Sequence, residues 1–313
     1  GDELPRLRLG VDGFERIAYG GLPRNRLTLV SGGPGTGKTV LSCQFLAAGI
    51  EDGDVGVYVA VEETPASVRR NAELIGFDVR GWEEQHRWHF LDAGVRDGGA
   101  VSRAGDYDFG GLLAQVGEIV EEAADRHVRV VVDSLSAVFL TYPDQATVRS
   151  ALLQLVHRLD ELGVSTVMTA ERAHRNDSSP LYSLEDYVAE TLLVLRLKQV
   201  GEHRRRTLEI VKARGCAHQI GEFAFALAGG GLTMLPGSSE REEGSALERV
   251  PWGIPDLDEM CPGGVFRDSL LVVAGPTGSG KTTLGLLYAA ASERSTLLSF
   301  EESTGQLRRN AAA

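Results

Sequence analysis

The stretch "GGPGTGKT" at residues 32–39 decides how the chain is read. It fits the phosphate-loop pattern G-x-x-x-x-G-K-[ST]. An apolar, strand-like run, "RLTLVS" at 26–31, leads into it, and a helical run from Lys38 to about Ala48 leaves it. Glycines let such a loop curl until successive backbone N–H groups point at one phosphate. The helix N-terminus behind it adds partial positive charge. In this arrangement Gly35, Thr36, Gly37, Lys38, Thr39 and Val40 cradle the phosphates. The Lys38 ammonium reaches the β- and γ-phosphates, and the Thr39 hydroxyl ligates a divalent metal. ATP and Mg²⁺ are the expected ligands.

The same design recurs as "GPTGSGKT" at 275–282. Residues 9–41 and 252–284 align without a gap: Gly20-Gly21 falls on Gly263-Gly264, and Arg24 on Arg267. "VEETPASVRRNA" at 61–72 likewise falls on "FEESTGQLRRNA" at 300–311. This is a duplicated domain rather than a short solenoid unit. The second loop is read with the same strand and helix flanks, and with Thr277, Gly278, Ser279, Gly280, Lys281, Thr282 and Thr283 around phosphate and Thr282 on metal. The sequence divides into a first domain at 1–234, a polar Gly/Ser-rich linker at 235–247, and the beginning of a second, truncated domain at 248–313.

Further side chains complete a site. "VRVVVDSL" at 128–135 is a buried-strand run ending in Asp133, whose carboxylate is suited to the metal shell. The alternative is that Asp133 caps the next helix. Glu62 and Glu63 follow the strand "VGVYVAV" at 55–61 and precede Thr64-Pro65, a good N-cap and first-turn pair. Two carboxylates at a strand end can polarise a water for attack on the γ-phosphate. They can also be solvated acids favoured by the helix dipole. Glu301 and Glu302 repeat the pair. Strand-like runs at 87–93 and 164–171 alternate with helical ones at 110–125 and around Val148, Leu152, Leu155, Val156, Leu159 and Leu162. The period then changes, and 190–215 reads as two strands joined at Gly201-Glu202. The fold class is α/β, a RecA-like core with a mostly parallel sheet, helices on both faces and an antiparallel extension. Residues 94–105 receive no role.

Bulk properties narrow the function. A chain of 313 residues with 42% apolar residues builds a real core. Its formal net charge of −12 disfavours nucleic acid as a partner, and "EHRRRT" at 202–207 is the one notable basic cluster. Cys43, Cys216 and Cys261 show neither disulfide nor metal-ligand spacing, which suits a reducing cytoplasm. No apolar run reaches the length of a membrane span.

On these residues the chain resembles the KaiC family of circadian-clock ATPases and kinases. The pieces that carry the resemblance are the two loop regions, "VEETPASVRRNAELIGFDV" at 61–79, "VVVDSLSAVF" at 130–139, "GVSTVMTAER" at 163–172 and "GEHRRRTLEIVKARGCAH" at 201–218. The resemblance implies a homo-oligomeric, hexameric ring with ATP held between neighbouring subunits, and clock or signalling proteins as partners. It implies Glu62 as the water-activating base with Glu63 beside it. It also implies that Lys212, Ala213, Arg214, Cys216 and His218 reach the ATP of the adjacent subunit, with Arg214 catalytic. Read without it, "KARGCAH" at 212–218 is an edge strand and turn with solvated basic residues. Rival readings are an autokinase whose kinase domain is cut off here, a RecA-type DNA motor, and a scaffold that binds ATP without hydrolysing it.

Overall fold

The computed structural model describes residues 4–94, 109–136, 145–171, 188–200, 203–235, 248–267, 269–292 and 294–312. They fall into two compact units, Gly1–Gly237 and Ser238–Ala313.

The first unit runs β1 (Arg6–Leu7), α1 (Phe14–Ile17), β2 (Leu22–Pro23), β3 (Leu27–Gly32), α2 (Lys38–Glu51), β4 (Val55–Ala60), α3 (Pro65–Ile75), α4 (Val79–Glu84), β5 (Trp88–Asp92), α5 (Phe109–Ala123), β6 (Val128–Asp133), α6 (Gln145–Glu161), β7 (Ser165–Glu171), β8 (Thr191–Val200), β9 (His203–Ala213), β10 (Glu222–Ala228) and β11 (Gly231–Met234). Nine strands form one sheet in the order β11-β10-β9-β8-β3-β7-β6-β4-β5. From β8 to β5 every pairing is parallel. β9, β10 and β11 extend the sheet antiparallel. This is the expected RecA-like α/β sheet with its antiparallel extension. The turn at Gly201-Glu202 and most of the 94–105 stretch lie outside the described residues.

Alternation along the strands builds two cores. Val55, Val57 and Val59 point into one with Leu112, Val116 and Ile119 of α5 and Leu152, Leu155 and Leu159 of α6. Tyr58 and Ala60 point into the other with Leu41, Phe45 and Leu46 of α2. Both faces of the parallel region are covered, as such sheets require. α3 starts where its chemistry dictates. The Thr64 hydroxyl accepts from Ser67 N, Pro65 occupies the first turn, and Gly76 closes the helix at φ 114°.

α2 is apolar almost all round because it is buried against the sheet. One polar guest is anchored there. Arg129 of β6, fully buried, pairs with Asp54 at 2.7 Å and Asp52 at 3.2 Å. It also donates to the carbonyls of Arg8 and Phe45 at 2.7 and 3.2 Å. Gly49, in the last turn of α2, lies beneath it, and a Cβ there would sit 2.4 Å from Arg129 Nε.

The second unit contains β12 (Arg249–Val250), α7 (Pro255–Met260), β13 (Val265–Phe266), α8 (Lys281–Ala291) and α9 (Thr304–Ala312). The repeat is visible in its register: Arg249 pairs with Phe266 as Arg6 pairs with Pro23. Gly21 and Gly264 sit at φ 107° and 109°, each where a Cβ would strike the carbonyl of the facing strand. One expectation fails here. The run at 269–274, read as the strand before the second loop, forms no strand. Leu27 and Leu29 of β3 are 8% and 2% exposed, whereas their counterparts Leu270 and Val272 are 91% and 78% exposed. A parallel strand exists through its neighbours. β3 lies between β7 and β8, whereas among the described residues no strand pairs with 269–274.

Candidate nucleotide-binding site

The loop at 32–39 closes the carboxyl end of β3 and passes directly into α2. Gly37, the residue before the helix, adopts φ 110°, a left-handed conformation that glycine takes without a Cβ penalty; its copy Gly280 adopts φ 89°. Thr36 Oγ1 donates to Gly33 O at 2.8 Å and braces the loop. Lys38 Nζ lies back across it, donating to Gly32 O at 2.8 Å and Gly33 O at 3.2 Å. Lys281 repeats this on Gly275 O and Pro276 O at 2.8 and 2.9 Å. Burial pushes the Lys38 pKa down, opposed by the charges of Glu171, Asp133 and Glu62. The ammonium is thus held by two carbonyls of the loop itself.

The strand ends beside the loop bring the acidic groups together. Thr39 Oγ1 donates to Asp133 Oδ2 at 2.8 Å across 94 residues of sequence. The same carboxylate accepts from Tyr58 OH at 2.5 Å and from the Thr169 hydroxyl. Burial, then the Asp133 charge, raises the Tyr58 pKa well above the ordinary phenol value. Val61 N donates to Asp133 O at 2.9 Å, tying the ends of β4 and β6. Beyond that tie the acidic pair divides. Glu62 Oε1 accepts from Ser134 Oγ at 2.6 Å, beside Asp133. Glu63 turns to α3, accepting from Ser67 Oγ at 2.7 Å and Asn71 Nδ2 at 3.3 Å. Glu302 accepts from Asn310 in the corresponding place of the second unit.

Thr39 and Asp133 offer hydroxyl and carboxylate oxygens, the hard donors that Mg²⁺ prefers. Among the described residues no group of three or more His, Cys, Asp or Glu could hold a metal by itself. That donor set fits a cation carried mainly by phosphate and water.

The basic residues lie elsewhere. β8 runs parallel to β3, and Gly32 pairs with Leu195 while Thr28 pairs with Thr191. Ala213 pairs with Thr191 and Lys212 with Leu192, so both sit at the opposite end of the sheet from the loop. Arg214 N donates to Glu190 O at 2.9 Å, about five strand residues or ~16 Å from the level of Gly32. Lys212 Nζ donates to Ala189 O at 2.6 Å. His218 Nδ1 is 3.0 Å from Gln219 O, and Cys216 is a half-buried free thiol. Within one chain these residues do not join the loop. Sequence reasoning overlooked Tyr58, Ser134, Thr169, Glu171 and Arg206. Arg206 Nε and Nη2 reach Gly35 O at 3.4 Å. Thr169 and Glu171 were findable, since they end the strand "VSTVMTAE" on the ligand side of a parallel sheet.

A parallel sheet with this loop at the end of a central strand defines a RecA-like P-loop α/β protein. The family described as "ATPase: KaiC" matches residues 7–239 and 250–313, and the chain belongs to the KaiC family. It is 40% identical over 316 residues to the circadian clock protein KaiC3 of Synechocystis, covering 99% of this chain and 62% of that protein. It is 39% identical over 314 residues to the circadian clock oscillator protein KaiC of Parasynechococcus marenigrum, covering 98% and 61%. Against the KaiC of Synechococcus elongatus it is 39% identical over 314 residues, covering 98% and 60%. The chain thus spans about three fifths of the length of these relatives. Among the described residues no helix is long and apolar enough to cross a membrane.

Proposed function

We propose that the first domain, 1–234, binds ATP with Mg²⁺ at 32–39 and hydrolyses it slowly, in a ring of identical subunits. The observation that carries this reading is the hydrogen bond from Thr39 to Asp133, with Glu62 at the next strand end. The loop N–H groups and Lys38 bind and orient the β- and γ-phosphates. Bound Mg²⁺, held by Thr39 and Asp133, supplies charge neutralisation on the phosphates. Glu62 takes a proton from a water whose oxygen attacks the γ-phosphorus, while the bond from that phosphorus to the bridging oxygen breaks and ADP leaves. Glu63, bound to α3, fixes the helix start and the position of its neighbour.

The distance of Lys212, Arg214 and His218 from the loop supports a site completed by the next subunit. There Arg214 stabilises charge on the transferring phosphoryl group, with Lys212, Ala213, Cys216 and His218 lining the nucleotide. Ring closure follows from a head-to-tail contact of this kind, and six is the proposed number. The second loop, with Lys281, Thr282 and the Glu301-Glu302 pair, begins a second nucleotide domain of the same design at 248–313, after the 235–247 linker. The clock names of the relatives support a role in timing or signalling, with clock or signalling proteins as partners, and the scattered cysteines suit the cytoplasm as its place.

The test follows the γ-phosphate of labelled ATP. Free phosphate should be released by the wild type. Glu62→Gln should bind ATP and turn it over about 10²-fold or more slowly. Lys38→Ala should weaken ATP binding by about 100-fold, ~2.8 kcal/mol. Label retained on the protein would instead favour an autokinase, and binding without release a scaffold.

A further inference from the structure

We propose that Tyr58 is a positioning residue for the metal-holding carboxylate, its phenol fixing the orientation of Asp133. The proposal rests on the nucleotide reading above. Asp133 accepts three hydroxyls: Thr39 and Tyr58 on Oδ2, and Thr169 on Oδ1. Thr39 has a second task in that site, since its oxygen also serves the cation. Tyr58 and Thr169 have none, so they hold the carboxylate, one on each oxygen, whether or not the site is loaded.

The phenol is not free to wander. Tyr58 is fully buried, and its ring stacks on Trp88 at 6.3 Å with an interplanar angle of 12°. It tilts against Phe90 at 5.7 Å, and Trp88 in turn stacks on Trp82 at 5.9 Å. The direction of the hydrogen bond is therefore set by the packed ring. The register explains the reach: Tyr58 pairs with Val131, two positions from Asp133 and on the same face of β6.

A purely structural role would not need the oxygen. Phenylalanine would keep every ring contact and leave no buried hydroxyl to satisfy. Partners that orient a metal ligand are typically worth about 10- to 100-fold in metal affinity.

The experiment uses the full chain with ADP present and Mn²⁺ as the probe, its binding read by electron paramagnetic resonance. Tyr58→Phe should weaken Mn²⁺ binding about tenfold. Affinity for ADP in chelator should stay within about twofold, and thermal unfolding should be nearly unmoved, because the ring stack remains. Thr169→Val should weaken Mn²⁺ binding in the same way and provides an independent measure if Tyr58→Phe folds poorly. Unchanged Mn²⁺ affinity in a folded variant that binds ADP would overturn the role of Tyr58 and leave the nucleotide site standing. A wild-type chain that binds neither ADP nor Mn²⁺ would overturn both.

Discussion

His127, just before β6, shows how one side chain ties stability to pH. Its Nε2 lies 2.9 Å from Ser165 Oγ, and that oxygen accepts from Asn25 N at 2.8 Å. Burial first, then the nearby Arg24, pushes the ring from 6.5 down to about 4. The unfolded chain therefore binds the proton more readily. Above pH 6.5 neither state is protonated and the fold loses nothing. As pH falls from about 6.5 through about 4, stability declines. The loss should amount to about 1–2 kcal/mol, discounted because the ring is partly solvated. Urea midpoints at pH 7 and pH 4.5 measure it, and His127→Asn should show a shallower fall; an equal fall would assign the pH dependence to other groups. At this scale the phosphate loop and its Lys38, Thr39 and Asp133 were legible, because their spacing and strand context are local. Tyr58 was not. Its meaning arises from the pairing of β4, β6 and β7, which brings its hydroxyl and that of Thr169 to one carboxylate.

Between elements, the seam of α2 and β6 carries the most demanding packing. Arg129 is buried with two carboxylates and two carbonyls satisfied, and its guanidinium lies 5.1 Å from the Phe45 ring centroid. Removing it would strand Asp54, which is largely buried, so Arg129→Ala should cost about 3–5 kcal/mol in urea unfolding. Gly49→Ala gives a sharper discrimination. Helix propensity alone favours alanine by about 1 kcal/mol. The 2.4 Å approach of Arg129 predicts a net loss instead, and a stabilised variant would show that the guanidinium can move aside. Elements with long periodic runs were readable: α5, α6, and the pair β8–β9 where the period shifts. α4 spans six residues, too few for a period, and β10–β11 alternate weakly at the sheet edge. The run at 269–274 was misread for a different reason. Its apolar pattern is that of β3, yet strand structure is conferred by hydrogen-bonded neighbours, and a local pattern cannot supply them.

At the scale of the whole molecule, the first unit holds two groups of candidate residues at opposite ends of its sheet. The loop, Asp133 and Glu62 occupy the carboxyl end of the parallel strands, while Lys212 and Arg214 occupy the other end. In the proposed ring, a second copy presents its Arg214 edge to the first copy's loop. Each of Glu62→Gln and Arg214→Ala should then be nearly inactive alone for a different reason: one lacks its own base, the other fails its neighbour. The most direct measurement is phosphate release from an equimolar, re-assembled mixture of the two variants. Random assembly pairs an intact loop side with an intact Arg214 edge at about one quarter of the contacts, and about a quarter of wild-type release should return. A mixture no more active than its two components would place Arg214 outside the neighbour's site and contradict a shared nucleotide site.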